Sequence, residues 1–123
     1  MASTSILTDV KSQLNIPSDT TAFDTDIVTS INTAFMILHQ LGLGPVDPYS
    51  ITNTTQTWDL FMSDIEKYNA IKTYVYQKVR SIFDPPTTAH LLSALQSQIT
   101  ELEIRLRDLY EYNNPPVEEE VIL

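Results

Sequence analysis

The sequence predicts an all-α fold. It reads as four main helices in a small bundle, with a long C-terminal helix, a long loop between the second and third, and an extended C-terminal tail. Three observations carry this. Apolar residues recur at three- and four-residue spacing in four separate stretches. Those stretches are separated by proline- and glycine-containing breaks, with seven prolines and two glycines in all. A length of 123 residues with 42% hydrophobic content suits one domain with its own core.

The first helix covers about residues 5–15, with Ile6, Leu7, Val10 and Leu14 on one side. Pro17 ends it by biasing the preceding residue away from helical geometry. The second begins near Thr21, where Thr21 and Asp24 have capping-box spacing and Asp24 and Asp26 suit the positive end of the helix dipole. Ile27, Ile31, Ala34, Phe35 and Leu38 form its stripe. Val28, Met36 and Ile37 widen that stripe until little of the second half is left to face water, which predicts burial within the subunit or between subunits. Gly42 is the expected left-handed stop.

From Gly42 to Thr57 runs a loop rich in Gly, Pro, Ser, Thr and Asn. Its segment from Tyr49 through Ile51 to Thr57 reads either as a short β-hairpin or as an extended arm. Loops of this length are often functional. A helical turn at residues 58–62 follows. Then Ser63 and Glu66, a capping box, open a long third helix to Phe83. Ile65, Tyr68, Val75, Val79 and Ile82 form its core stripe, and Lys67, Tyr74 and Lys78 a second, outward one. Asp84-Pro85-Pro86 breaks the chain and launches the fourth helix, about residues 88–112. There Leu92, Leu95, Ile99, Leu102, Leu106 and Leu109 alternate in steps of three and four. Glu101–Arg105 and Glu103–Arg107 are i,i+4 pairs in the favourable order. Residues 1–112 thus form a helical domain and 113–123 a tail.

Composition excludes several functions. No cysteine means no disulfide scaffold, thiolate zinc or cysteine nucleophile. Sixteen acids against seven bases give a net charge of −9, the wrong sign for holding a polyanion. The charge divides into −7 over residues 1–66, +2 over 67–110 and −4 over 111–123. No apolar run approaches the roughly 20 residues of a membrane span, and the first residues lack the pattern of a secretory signal. The expectation is a soluble protein made inside a cell, with no membrane partner.

No catalytic constellation emerges. His39 and His90 are far apart and outside any metal-binding spacing. The carboxylate pairs Asp24/Asp26, Asp64/Glu66 and Glu101/Glu103 are two residues apart, about 200° round a helix, so neither a proton nor a metal is shared. No catalytic residue, cofactor or metal site is expected, and the chain is read as a non-enzyme. The candidate surfaces are for interaction. One is the Lys67/Tyr74/Lys78 stripe, together with Ile104 opposite the leucine seam, where a polar residue would suit a simple two-layer packing. A second is the loop, through Pro45, Tyr49 and Ile51. A third is the tail, whose Val117, Val121, Ile122 and Leu123 flank three glutamates in a form suited to strand addition on a partner.

A family resemblance rests on a series of segments. They are Ile6-Leu7 with Val10-Lys11; Phe23-Asp24-Thr25-Asp26-Ile27; Gln40-Leu41-Gly42-Leu43-Gly44-Pro45; and Ile71-Lys72-Thr73-Tyr74-Val75-Tyr76 with Lys78-Val79-Arg80. Phe83-Asp84-Pro85-Pro86-Thr87 then leads into Gln98-Ile99 and Glu101-Leu102-Glu103-Ile104-Arg105-Leu106. In order and spacing, over residues 5–110, they resemble the small head-tail connector proteins (adaptor or head-completion proteins) of long-tailed double-stranded DNA bacteriophages and prophages. The resemblance implies a structural virion protein, assembled in the host cytoplasm. It would form a ring, commonly twelve-fold, beneath the portal protein, extend the DNA channel without sequence-specific binding, and give the tail or a stopper (tail-completion) protein its docking surface. It also implies that the C-terminal segment reaches the portal and that residues 45–56 make contacts. Head-to-tail contacts between charge-asymmetric copies close into rings when the rotation permits. The alternative is an acidic DNA mimic, or a regulatory helical protein, that binds and inhibits a basic partner.

Overall fold

The computed structural model describes residues 5–62 and 69–113, with side chains to Asp108. Five helices follow one another: α1 (Ile6–Gln13), α2 (Asp24–Gln40), α3 (Trp58–Phe61), α4 (Asn69–Phe83) and α5 (Ala89–Asn113). The described residues contain no strand, and the fold is all-α as predicted. The expected helical turn is α3, and the expected third helix is represented by α4. The capping box at Ser63–Glu66, with Ile65, Lys67 and Tyr68, lies outside the described residues.

Local chemistry sets the helix ends. The Ser5 hydroxyl accepts the Thr8 N–H at 3.3 Å and caps α1, a contact typically worth about 1 kcal/mol. At its other end the N–H of Ile16 reaches back to the Lys11 carbonyl at 2.9 Å, with Asn15 in the left-handed region at φ 61°. Asn tolerates that region better than most side chains. The same closure ends α2. Leu43 N–H donates to Leu38 O at 3.0 Å and Gly42 N–H to His39 O at 2.9 Å, around Gly42 at φ 91°. Gly42 therefore does what the sequence predicted of it.

The start of α2 differs from expectation. Phe23, not Thr21, occupies the cap position, and no side chain caps the helix. Thr21 instead contributes its carbonyl to a turn, accepting the Asp24 N–H at 3.2 Å. Asp24 is drawn elsewhere: Lys11 Nζ lies 2.8 Å from its carboxylate. That ammonium, 3% exposed, also donates to the carbonyls of Ser18 (3.2 Å) and Thr20 (2.6 Å). One buried lysine thus ties α1, the connecting turn and the first residue of α2 together.

The core lies where α1, α2, α3 and α4 meet. Ile27, Ile31, Ala34, Phe35 and Leu38 of α2 are buried as predicted, and so are Val75 and Val79 of α4. Met36 remains half exposed. Two predictions for α4 need correction. Ile82 is 47% exposed rather than buried; it lies near the end of α4, beside Phe23 and Asp26 at the start of α2. Tyr74 is fully buried rather than outward. It stands next to Val75 and three residues after the buried Ile71, and α5 packs over that side of α4. Its hydroxyl donates to Glu103 at 2.7 Å, so Glu103 faces α4 instead of joining Arg107. The Glu101–Arg105 pair is present at 2.7 Å on open surface.

α5 runs 25 residues, about 37 Å at 1.5 Å per residue. It packs antiparallel on α4 through Leu95, Ile99 and Leu106, with Leu92 and Leu102 half-buried. The predicted leucine seam is therefore an intramolecular one as far as Leu106; the side chain of Leu109 lies outside the described residues.

Candidate interaction surface

The long loop is a fixed part of the molecule. Asn32, projecting from α2, grips the backbone of Ile51 from both sides: its amide donates to the Ile51 carbonyl at 3.0 Å and its oxygen accepts the Ile51 N–H at 2.7 Å. Ile51 is thereby held in the core, 1% exposed. Further along, the Gln56 side-chain oxygen accepts the N–H groups of Thr52 and Asn53, both at 3.1 Å. The Gln56 carbonyl then accepts the Ile6 N–H at 3.0 Å, beside a single antiparallel bridge between Ser5 and Thr57. Of the two loop readings, the hairpin does not form. The segment bends at residues 53–55 and is pinned to α1 and α2.

Aromatic packing secures the other end of the loop. Phe35 is surrounded by Phe61 (ring centroids 4.7 Å), Tyr49 (5.3 Å) and Trp58 (6.2 Å). Gly44, at φ 90°, passes so close to Phe61 that a Cβ there would fall 2.6 Å from the ring. Tyr49 is half-buried, and burial with the nearby Asp59 charge raises its hydroxyl above the ordinary phenol range. Of the three loop candidates only Pro45 stands on the surface, next to the fully exposed Val46.

A polar hub lies beneath α1. One carboxylate oxygen of Asp9 accepts both the Trp58 indole N–H at 2.9 Å and the Tyr76 hydroxyl. Lys72 Nζ lies 5.8 Å from the Trp58 ring centroid, the geometry of a cation–π contact. Tyr74 and Tyr76 are both held protonated well above the usual phenol range, first by burial and then by the carboxylates they donate to. This is anchoring chemistry: each acid engages a neutral donor and no nucleophile adjoins a base. Among the described residues no group of three or more His, Asp or Glu is placed to hold a metal ion, and no helix is long and apolar enough to cross a membrane.

What the surface offers is a set of exposed apolar side chains on rigid helices. Phe23 at the start of α2 stacks edge-on against Phe83 at the end of α4, at 5.7 Å, with Ile82 and Asp26 beside them. Leu60 projects from α3, Leu91 from the first turn of α5, and Ile104, 53% exposed, from the outer face of α5. Ile104 is thus where the sequence put it, away from the leucine seam. Of the lysine stripe, Lys78 is half-buried, Tyr74 belongs to the core, and Lys67 lies outside the described residues. So do Val117, Val121, Ile122 and Leu123. Sequence reasoning missed Phe23, Leu60, Ile82 and Leu91, each an apolar residue near a helix end where covering elements stop short.

A model of the phage connector protein family matches residues 6–113, from the first residue of α1 to the last of α5. The chain belongs to the phage connector protein family. No curated protein and no solved structure matches it. Membership makes the chain a structural phage protein of the head–tail junction, a component of the virion whose partners are portal and tail proteins. The matched range takes in the helical body, the pinned loop and the exposed apolar residues, and the family is structural rather than enzymatic.

Proposed function

We propose that this connector assembles with copies of itself into a ring between the portal and the tail, extends the DNA channel and presents the docking surface for the tail. The family match across all five helices is the observation that carries this reading. The surface supports it. A rigid subunit with apolar side chains on several sides suits a place between neighbours better than free life in solution. Lys67, Lys78 and Ile104 are the proposed contacts to the adjacent subunit, with Pro45 and Val46 as the exposed tip of the loop. Tyr74 and Ile51, both buried, act only by holding the framework. The segment from Val117 to Leu123 is the proposed portal contact. A channel lined by the acidic first half would let DNA pass without adhering, since there is little basic charge to neutralise phosphates.

The test is to mix the purified chain with its portal and measure the mass of the product by native mass spectrometry, with and without charge reversal at Lys67 and Lys78. A defined number of copies per portal ring, reduced by the reversals, is expected. A chain that never associates with portal would overturn the ring reading. Unchanged assembly after charge reversal would remove the two lysines from the subunit contact.

A further inference from the structure

We infer that two hollows at the same end of the molecule are the two halves of one contact between copies of the chain. Leu91 of one subunit seats beside Phe23 and Ile82 of the next, and its Arg80 is set against the neighbour's Asp26. The inference rests on the ring reading and deepens it, because it says which surface of one copy meets which surface of the other.

Both hollows lie at the close of α4. In the first, Phe23 at the start of α2 and Ile82 in the last turn of α4 are each 47% exposed, and Phe83 stacks edge-on against Phe23. Asp26 is the one charged residue among the described residues that line it. In the second, Leu91, 56% exposed, stands with Pro86 and Ala94. There the one charged residue is Arg80. Asp26 and Arg80 are both exposed, and neither makes an ion pair among the described residues.

Each hollow thus joins exposed apolar side chains to a single charge, and the two charges are opposite. Neither hollow suits a copy of itself, since that would bring Asp26 against Asp26 or Arg80 against Arg80, and like charges at a contact repel. Each finds its complement in the other. Lys78, one turn before Ile82, and Asp84, one turn after Arg80, carry the contrary sign on each flank, but neither lines a hollow.

The two hollows cannot meet within one subunit. Arg80 and Ile82 are two residues apart on α4, about 200° round the helix, and α4 packs between α2 and α5. One hollow opens on the α2 side and the other on the α5 side, so the partner is a second copy. Along the α4 axis Arg80 and Ile82 differ by only about 3 Å. Complementary surfaces on opposite flanks at nearly equal height give a head-to-tail contact with little rise. Such a contact closes into a flat ring instead of climbing into a filament.

The absence of native cysteine makes the test direct. Full-length Asp26→Cys and Arg80→Cys chains are assembled with portal, each alone and as an equal mixture, and oxidised with copper–phenanthroline. Native mass spectrometry counts the copies per portal. A disulfide-linked dimer in the mixture and in neither single sample is expected, with a ladder of covalent oligomers from the chain carrying both substitutions. Ring-sized complexes that lack the mixed link, or that show links in a single-variant sample, would overturn this pairing and leave the ring reading standing. A chain that never joins portal would overturn both. Charge exchange gives a second readout: Asp26→Arg and Arg80→Asp should each lose assembly while keeping the helical circular dichroism, and the double variant should recover it. Failure of the double variant to recover would overturn the match of Asp26 to Arg80.

Discussion

Asn32→Ala should loosen the long loop from the helical body. The side chain makes both hydrogen bonds to the backbone of Ile51, at 2.7 and 3.0 Å, and Ile51 is 1% exposed. Its removal leaves one buried donor and one buried acceptor unmet, each costing about 1–3 kcal/mol. Asn32 itself is half-buried, so water reaches part of the vacated space and the lower half of that range applies, about 2–4 kcal/mol in total. For a chain of 123 residues the entropy of unfolding is about 0.26 kcal/mol/K, so the midpoint should fall by roughly 8–15 °C. Thermal and urea unfolding followed by circular dichroism measure this. Asn32→Asp separates the two bonds: the carboxylate still accepts the Ile51 N–H but has no donor for the carbonyl. Its loss should exceed half that of Ala, because charge faces the carbonyl oxygen. Amide exchange at Ile51 should accelerate in both variants before exchange in α4 does. A loss below about 1 kcal/mol for Asn32→Ala, with exchange at Ile51 unchanged, would show that aromatic packing alone fixes the loop.

Three further outcomes are expected. Gly44→Ala should cost at least about 2 kcal/mol in urea unfolding, since positive φ strains any Cβ and this one would meet the Phe61 ring at 2.6 Å. Tyr74 and Tyr76 have phenol pKa values raised in the fold from an ordinary 10.0. Their contribution is fully present below pH 10 and is lost as pH rises beyond it, because the unfolded chain ionises first; Tyr74→Phe/Tyr76→Phe should flatten the fall in stability above pH 10, and an unchanged slope would refute the assignment. Ile104→Asp should leave stability within about 0.5 kcal/mol, as for an exposed site, yet reduce co-assembly with portal in native mass spectrometry; equal loss of stability and assembly would make Ile104 a folding residue instead.

The helices were legible because their signals are local. The α2 stripe from Ile27 to Leu38, the Gly42 stop and the proline break before α5 each rest on a few neighbouring residues. What was not legible depends on contacts distant in sequence. Tyr74 looked outward on an i, i+7, i+11 count from Lys67, but its environment is decided by α5, 29 residues away at Glu103. Thr21 and Asp24 had capping spacing, yet the buried Lys11 outcompetes the cap for Asp24. The loop was ambiguous because the residue that fixes it, Asn32, sits in the middle of α2, a position where sequence pattern assigns asparagine to the exposed face. The exposure of Ile104 was readable from its break in the seam. Phe23, Ile82 and Leu91 were not, since exposure at a helix end depends on where the covering helix stops.

The charge partition also changes meaning once the contacts are known. In the acidic first half, Asp9 is engaged by Trp58 and Tyr76, and Asp24 by Lys11. These two acids serve the fold and are half-buried, whereas Asp19, Asp26 and Asp47 remain exposed on the turn, the α2 start and the loop. Among the bases, Lys11 is internal, Lys72 lies over Trp58 and Arg105 holds Glu101. Lys78, Arg80 and Arg107 make no ion pair among the described residues, and all three lie on the α4–α5 hairpin. The same hairpin also carries the exposed Asp84 and Asp108, so its charge is mixed, whereas the one base of residues 1–66, Lys11, is buried. In the ring proposed above, Lys78, Arg80 and Arg107 of one subunit would meet Asp19, Asp26 and Asp47 of the next, a head-to-tail contact that pairs opposite charges.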